Sequence, residues 1–205
     1  MPDSTPPATA ATTAPKRPKP GERRAQILQT LAAMLAQPGG ERITTAALAA
    51  RLQVSEAALY RHFASKAQMF EGLIDFIEQS VFALINQIQT QAGDIGPRHA
   101  GQIITMLIRF AEKNPGMARV MVGDALLLEH ARLQQRMNLF FDKIEAALKQ
   151  CRRADSEARD HAAELAQVRA TVLVAFARGR LQRYARSDFK RLPGDQLEAC
   201  LALFT

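Results

Sequence analysis

Apolar residues return at helical spacing along most of this chain, and the interruptions mark where helices stop. From Glu22 onward, Ile27, Leu28, Leu31 and Leu35 fall on one face, and Pro38-Gly39-Gly40 ends the run. Thr44 and Thr45 can cap a short second helix with Leu48 and Leu52 spaced i, i+4, and Gln53-Val54 then makes a tight turn. Ser55 caps a third helix, and Val54 before that cap is placed to pack on Leu59. Ser65, with Gln68 three residues on, opens a long helix whose stripe is Met69, Phe70, Leu73, Ile74, Ile77, Val81, Leu84, Ile85 and Ile88. Further helices are predicted over about 98–113, after Pro115, over about 124–151, over about 158–186 and after Pro193-Gly194. Alternating strand-like stretches are hard to find, so the fold class is all-α.

Composition divides the chain further. Residues 1–20 are Pro, Ala and Thr with a basic end at Lys16, Arg17 and Lys19, a mixture that cannot offset the entropy of ordering, and a disordered tail is expected there. With Arg23 and Arg24 that basic end could touch a DNA backbone. Residues 21–67, with short helices, and residues 68–205, with longer ones, are expected to form two domains. The formal net charge of +7 favours an anionic partner, either nucleic acid or an acidic membrane. No run before Gly21 has signal-peptide length and no later one reaches the ~18 apolar residues of a membrane span, so a cytosolic protein is expected. Cys151 and Cys200 stand far apart outside any CxxC pattern and read as thiols rather than a disulfide or a zinc site.

The segment from about Ile43 to Phe63 carries the chemistry. Two short helices joined by a tight turn and preceded by a third form a helix-turn-helix, which lays its last helix in the major groove of double-stranded DNA. On SEAALYRHF, Leu59 and Phe63 define the inward face and Ala57, Ala58, Tyr60 and Arg61 lie around the opposite side. Small Ala57 and Ala58 allow close approach to the bases, Arg61 can reach a phosphate or a guanine edge, and Tyr60 and His62 can donate to phosphates. Thr44 and Thr45 sit where the second helix would cross the DNA backbone. Lys66 in the first turn of the long helix opposes the helix dipole unless an anion is near, and a phosphate would supply one.

RITTAALAARLQVSEAALYRHFASKAQMFEGLI resembles the DNA-binding domain of the TetR family in its turn, its Tyr-x-His-Phe end and the following Ser-Lys. The resemblance implies a small N-terminal DNA-binding domain and a larger helical domain that dimerises, each recognition helix entering one half of a palindromic site. RITTA, VSEAALYRHF, LIDFIEQS, EKNPG and ARSDFK together resemble the nucleoid-occlusion regulators within that family. That likeness implies binding to palindromes dispersed over the chromosome and, when bound, antagonism of the tubulin-like division GTPase FtsZ. It assigns DNA contacts to Thr44, Thr45, Ser55, Ala57, Tyr60, Arg61, His62 and Lys66, and a groove for the FtsZ tail to Phe76, Lys113 and Asn114. It also leads one to expect a basic residue where Leu84 stands and a Lys where Ala47 stands.

Other readings use the same chain. A ligand-controlled repressor would need a pocket, for which Met106, Phe110, Met117, Met121 and Phe140 are candidates, although Met and Phe at helical spacing are the ordinary stuff of cores. Catalysis finds no support: His62, His99, His130 and His161 are isolated, there is no HExxH, GxSxG or Gly-rich phosphate loop, and no cofactor or metal is expected. Arg178, Arg180, Arg183 and Arg186 form a basic set, but their neighbours Phe176, Leu181 and Tyr184 read better as packing than as a membrane-inserted face. The run VRATVLVAFARGRLQRY is apolar enough to be buried between two subunits, and Gly179 within it, costing about 1 kcal/mol in a helix interior, fits a close helix approach in a homodimer.

Overall fold

In a computed structural model of the chain, residues 21–39, 43–90, 97–127, 129–153 and 162–204 are described, and every regular element among them is helical. The expected tail before Gly21, Gly40 and the start of the helix expected from about 158 lie outside the described residues.

The first helices form a small head: α1 (Glu22–Leu35), α2 (Thr45–Arg51) and α3 (Glu56–Tyr60). Their predicted inward residues Ile27, Leu31, Leu35, Leu48 and Leu59 are buried, with Leu52 at the margin and Leu28 half-buried. Arg24 does not stand free for a DNA backbone. Its guanidinium lies 4.0 Å from the Phe63 ring centroid and donates to the His62 carbonyl at 2.7 Å, closing the end of the recognition segment.

A long helix, α4 (Lys66–Thr90), leaves the head and runs into the rest of the molecule. Its capping works with one shift from expectation. Ser65 Oγ accepts from the Gln68 amide at 3.2 Å, while Gln68 Oε1 reaches back to the amide of Ala64, not of Ser65, at 2.8 Å. The buried side of α4 continues the head's core into the body without a break.

The body consists of α5 (Pro97–Lys113), α6 (Pro115–Met121), a 3₁₀ turn at Asp124–Leu126, α7 (Ala131–Arg153), α8 (Ala162–Arg186) and α9 (Leu197–Ala202). Helix α7 starts later than the apolar run from Ala125 suggests. Gly123, left-handed at φ 85°, ends α6, and among the described residues the chain makes only a 3₁₀ turn before His130, whose Nδ1 accepts from the Arg132 amide and opens the real helix. Glu145 meets Gln167 whereas Asn138 meets Arg178, so α7 and α8 run antiparallel. Phe140 packs edge-on to Phe82 and Phe141 between α4 and α7. Across the same seam Arg136 bonds Asp75 at 2.7 Å and Glu78 at 2.6 Å. Burial opposes the Arg136 charge, but these carboxylates outweigh it and raise its pKa.

Head and body approach closely at Gly116 on α6. A Cβ there would come within 1.9 Å of the Ala32 carbonyl oxygen on α1, so only glycine lets the two backbones meet. No described helix is long and apolar enough to cross a membrane.

Candidate nucleic-acid interface

Both helix starts of the helix-turn-helix carry the predicted caps. Thr44 Oγ1 accepts from the Ala47 amide at 3.1 Å and Ser55 Oγ from the Ala58 amide at 3.2 Å. Between them Gln53 takes a left-handed conformation (φ 54°), which a side chain adopts only at some cost, and the Val54 amide then donates to the Ala49 carbonyl at 3.0 Å. The turn is thereby fixed by backbone bonds.

Leu59 and Phe63 are each 1% exposed and anchor the recognition segment to the head. Ser55, Ala57, Tyr60, Arg61 and His62 are exposed beside one another in sequence, Tyr60 at 45%, and Ala58 is half-buried. Thr44 is exposed and Thr45 half-buried. The Thr45 hydroxyl donates to Glu56 Oε2 at 2.5 Å, tying the first residue of α2 to the first residue of α3. Glu56 was not singled out from the sequence. The available signal was an acid in the first turn of a helix, where the dipole welcomes it, opposite a hydroxyl at the start of the preceding helix.

Lys66 changes most on inspection. The anion that offsets the helix dipole is Glu129, which pairs with Lys66 Nζ from the segment before α7, both side chains being largely buried. A phosphate is not required to explain a cation at this position, because the fold supplies its own partner across the junction between head and body.

The second predicted constellation divides. A groove of about 590 Å³ runs between α4 and α5, and Lys113 and Asn114 line it together with Leu84. Phe76 does not line it: the side chain is 48% exposed on α4, about 12 Å before Leu84 at 1.5 Å per residue. Asn114 spends its Nδ2 on the Phe110 carbonyl at 2.8 Å, finishing α5, and its backbone starts α6. The expected basic residue is absent at Leu84, but Arg98 and Arg109 of α5 line the same groove. Their spacing with Gln102, Thr105 and Lys113 along one side of α5 was the signal that could have revealed them. Of the candidates for a ligand pocket, Met106 and Phe110 open onto this groove, Met121 and Phe140 are packed in the core, and Met117 is partly buried against it.

Comparison with known proteins agrees with this geometry. Residues 27–73 match the bacterial regulatory proteins of the tetR family, and residues 98–205 match the SlmA-like form of the tetracyclin repressor-like C-terminal domain. Nucleoid occlusion factor SlmA of Idiomarina loihiensis is 50% identical over 180 residues, covering 86% of this chain and 90% of that protein. SlmA of Shewanella pealeana is 51% identical over 172 residues, covering 83% and 87% respectively. Among solved structures, a transcriptional regulator from Rhodococcus sp. Rha1 superposes with a TM-score of 0.70 at 21% identity, covering 88% of this chain and 92% of that one. The MbdR regulator from Azoarcus sp. CIB gives 0.68 at 16%, covering 88% and 95%. At these identities the solved structures speak for the fold, and the SlmA sequences for kinship: the chain belongs to the TetR family of bacterial regulatory proteins, among the relatives of nucleoid occlusion factor SlmA.

Proposed function

We propose that this chain is a nucleoid occlusion factor: a dimer that binds palindromic sites dispersed over the chromosome and, when bound, antagonises FtsZ so that no septum forms across unsegregated DNA. The observation that carries the reading is identity of about half the residues to SlmA proteins along 86% of the chain. The exposed recognition surface described above supplies the chemistry.

In this reading Tyr60, Arg61 and His62 address bases and phosphates from α3 and the residues just after it, Ala57 lets the helix close on the groove floor, and Thr44, Thr45 and Ser55 hold the backbone at the two helix starts. Lys66 reaches a phosphate only by leaving Glu129. Dimerisation draws support from an apolar stripe on α8, where Leu165 is 48%, Val168 53% and Val172 40% exposed, with Leu139 of α7 at 55%. Gly179, expected at a close helix approach, has no atom within 4 Å of the place its Cβ would occupy and is open to a second subunit.

The FtsZ tail is assigned to the groove between α4 and α5. Arg98, Arg109 and Lys113 give it a cationic wall suited to an acidic peptide, Met106 and Leu84 an apolar floor, and Phe76 extends the surface along α4. A flexible tail must be ordered on binding, so one tail binds weakly and an array of tails on a polymer binds through effective concentration. Titration of a labelled peptide of the FtsZ C-terminal tail into the protein, with and without operator DNA, tests this. Saturable binding that weakens in Arg109→Ala and Lys113→Ala is expected. Absence of binding in both forms removes the division-inhibitor reading and favours a ligand-controlled repressor.

A further inference from the structure

Covalently, the head continues into the body only through α4. A head carried on one helix is free to swing about it, and the position of each recognition helix relative to its two-fold mate would then be soft. Besides the Lys66–Glu129 pair at the start of α4, an attachment is made by α1, and its residues are brought together from three distant parts of the sequence.

Arg119 of α6 is 7% exposed. Its Nη1 donates to the carbonyls of Leu35 and Gln37, both at 2.8 Å, so a cation sits at the carbonyl end of α1 where the helix dipole favours one. Its Nη2 pairs with Asp188 Oδ1 at 3.2 Å. The same oxygen accepts from the Gly39 amide at 3.1 Å, beyond the end of α1. Asp188 and Phe189 follow α8 and are both left-handed, at φ 48° and 63°, a conformation disfavoured for residues with a Cβ. What that turn achieves is delivery: Asp188 to the head, and the Phe189 ring to the face of the Arg119 guanidinium at 4.6 Å and to the edge of Tyr184 at 5.1 Å.

We propose that Asp188 and Arg119 form a strut that sets the half-site spacing the dimer accepts, by locking the head to the end of α8, the helix whose exposed stripe faces the second subunit. The inference rests on the dimeric DNA-binding reading above. A change of one base pair moves a half-site by about 3.4 Å and turns it by about 34°, which a braced head does not follow and a swinging one does. Both are positioning residues, neither touching DNA.

A duplex selected by the wild-type protein from a random-sequence pool is rebuilt with its half-sites one base pair closer, one farther and two farther, and as a single half-site. Affinities are measured for wild type, Asp188→Asn and Arg119→Met. Asp188 is 40% exposed in its side chain, so Asp188→Asn spares the core even if Arg119→Met unfolds. Expected are unchanged binding to the single half-site and dimerisation, with the preference for the selected spacing over its neighbours reduced about tenfold, the scale of one charge-assisted bond. A spacing profile identical to wild type, or a parallel loss on the single half-site, overturns the strut. A wild-type selection that returns no paired half-sites overturns the dimeric reading itself and the strut with it.

Discussion

Thr44 and Arg61 are both exposed on the head yet differ in what they hold. Thr44 caps α2, so Thr44→Ala removes a bond from the fold as well as a group from the interface. Its expected cost is about 0.5–2 kcal/mol of stability in addition to weaker DNA binding. Arg61 is exposed, and Arg61→Ala is expected to leave thermal stability within about 0.5 kcal/mol of wild type while costing about 1–3 kcal/mol of specific affinity. Melting curves and operator titrations at one salt concentration separate the two; normal affinity in Arg61→Ala would remove this face from DNA reading. Lys66 gives a third case. Because Glu129 already neutralises it, Lys66→Ala should change the log–log salt slope by less than the ~0.9 of a full phosphate contact, and Glu129→Gln should steepen it. A full unit lost in Lys66→Ala would mean that the lysine abandons Glu129 on DNA.

Among the elements, short-range chemistry was legible and long-range chemistry was not. Caps, the turn after Leu52 and the stripe of α4 depend on residues within four positions of each other, and they lie where the pattern puts them except that Gln68 bonds Ala64 and that Leu84 and Ile88 at the far end of the stripe are only half-buried. The late start of α7 was hidden because Ala125, Leu126 and Leu127 keep the apolar run going while Gly123 and His130 decide the backbone. The partners of Lys66 and Arg119 were illegible for a different reason: Glu129 and Asp188 lie 63 and 69 residues away, and no spacing rule links them. Lys113 and Asn114 line the groove as the resemblance implied, while Arg98 and Arg109 were not legible because the pattern along α5 does not say which of its polar residues border a groove against α4. Packing of α1 on α6 yields its own test. Gly116→Ala forces a methyl against the Ala32 carbonyl and should destabilise by about 1–3 kcal/mol or more, seen as a lower urea midpoint with an unchanged slope. Wild-type stability in that variant would mean that α1 and α6 do not meet so closely.

At the scale of the whole molecule, a basic chain of net charge +7 carries exposed polar and cationic residues on its helix-turn-helix, exposed apolar residues on α7 and α8, and a cationic groove between α4 and α5 on the body. Each feature is compatible with a regulator of one neighbouring gene. What distinguishes nucleoid occlusion is where the protein sits on the chromosome, since a factor that keeps septa off unsegregated DNA must be spread over it. Mapping chromosomal occupancy of the protein, with Arg61→Ala as the control, therefore tests the central claim most directly. The expected result is many dispersed sites sharing one palindrome and lost together in Arg61→Ala; occupancy confined to a single site beside a neighbouring gene would contradict it.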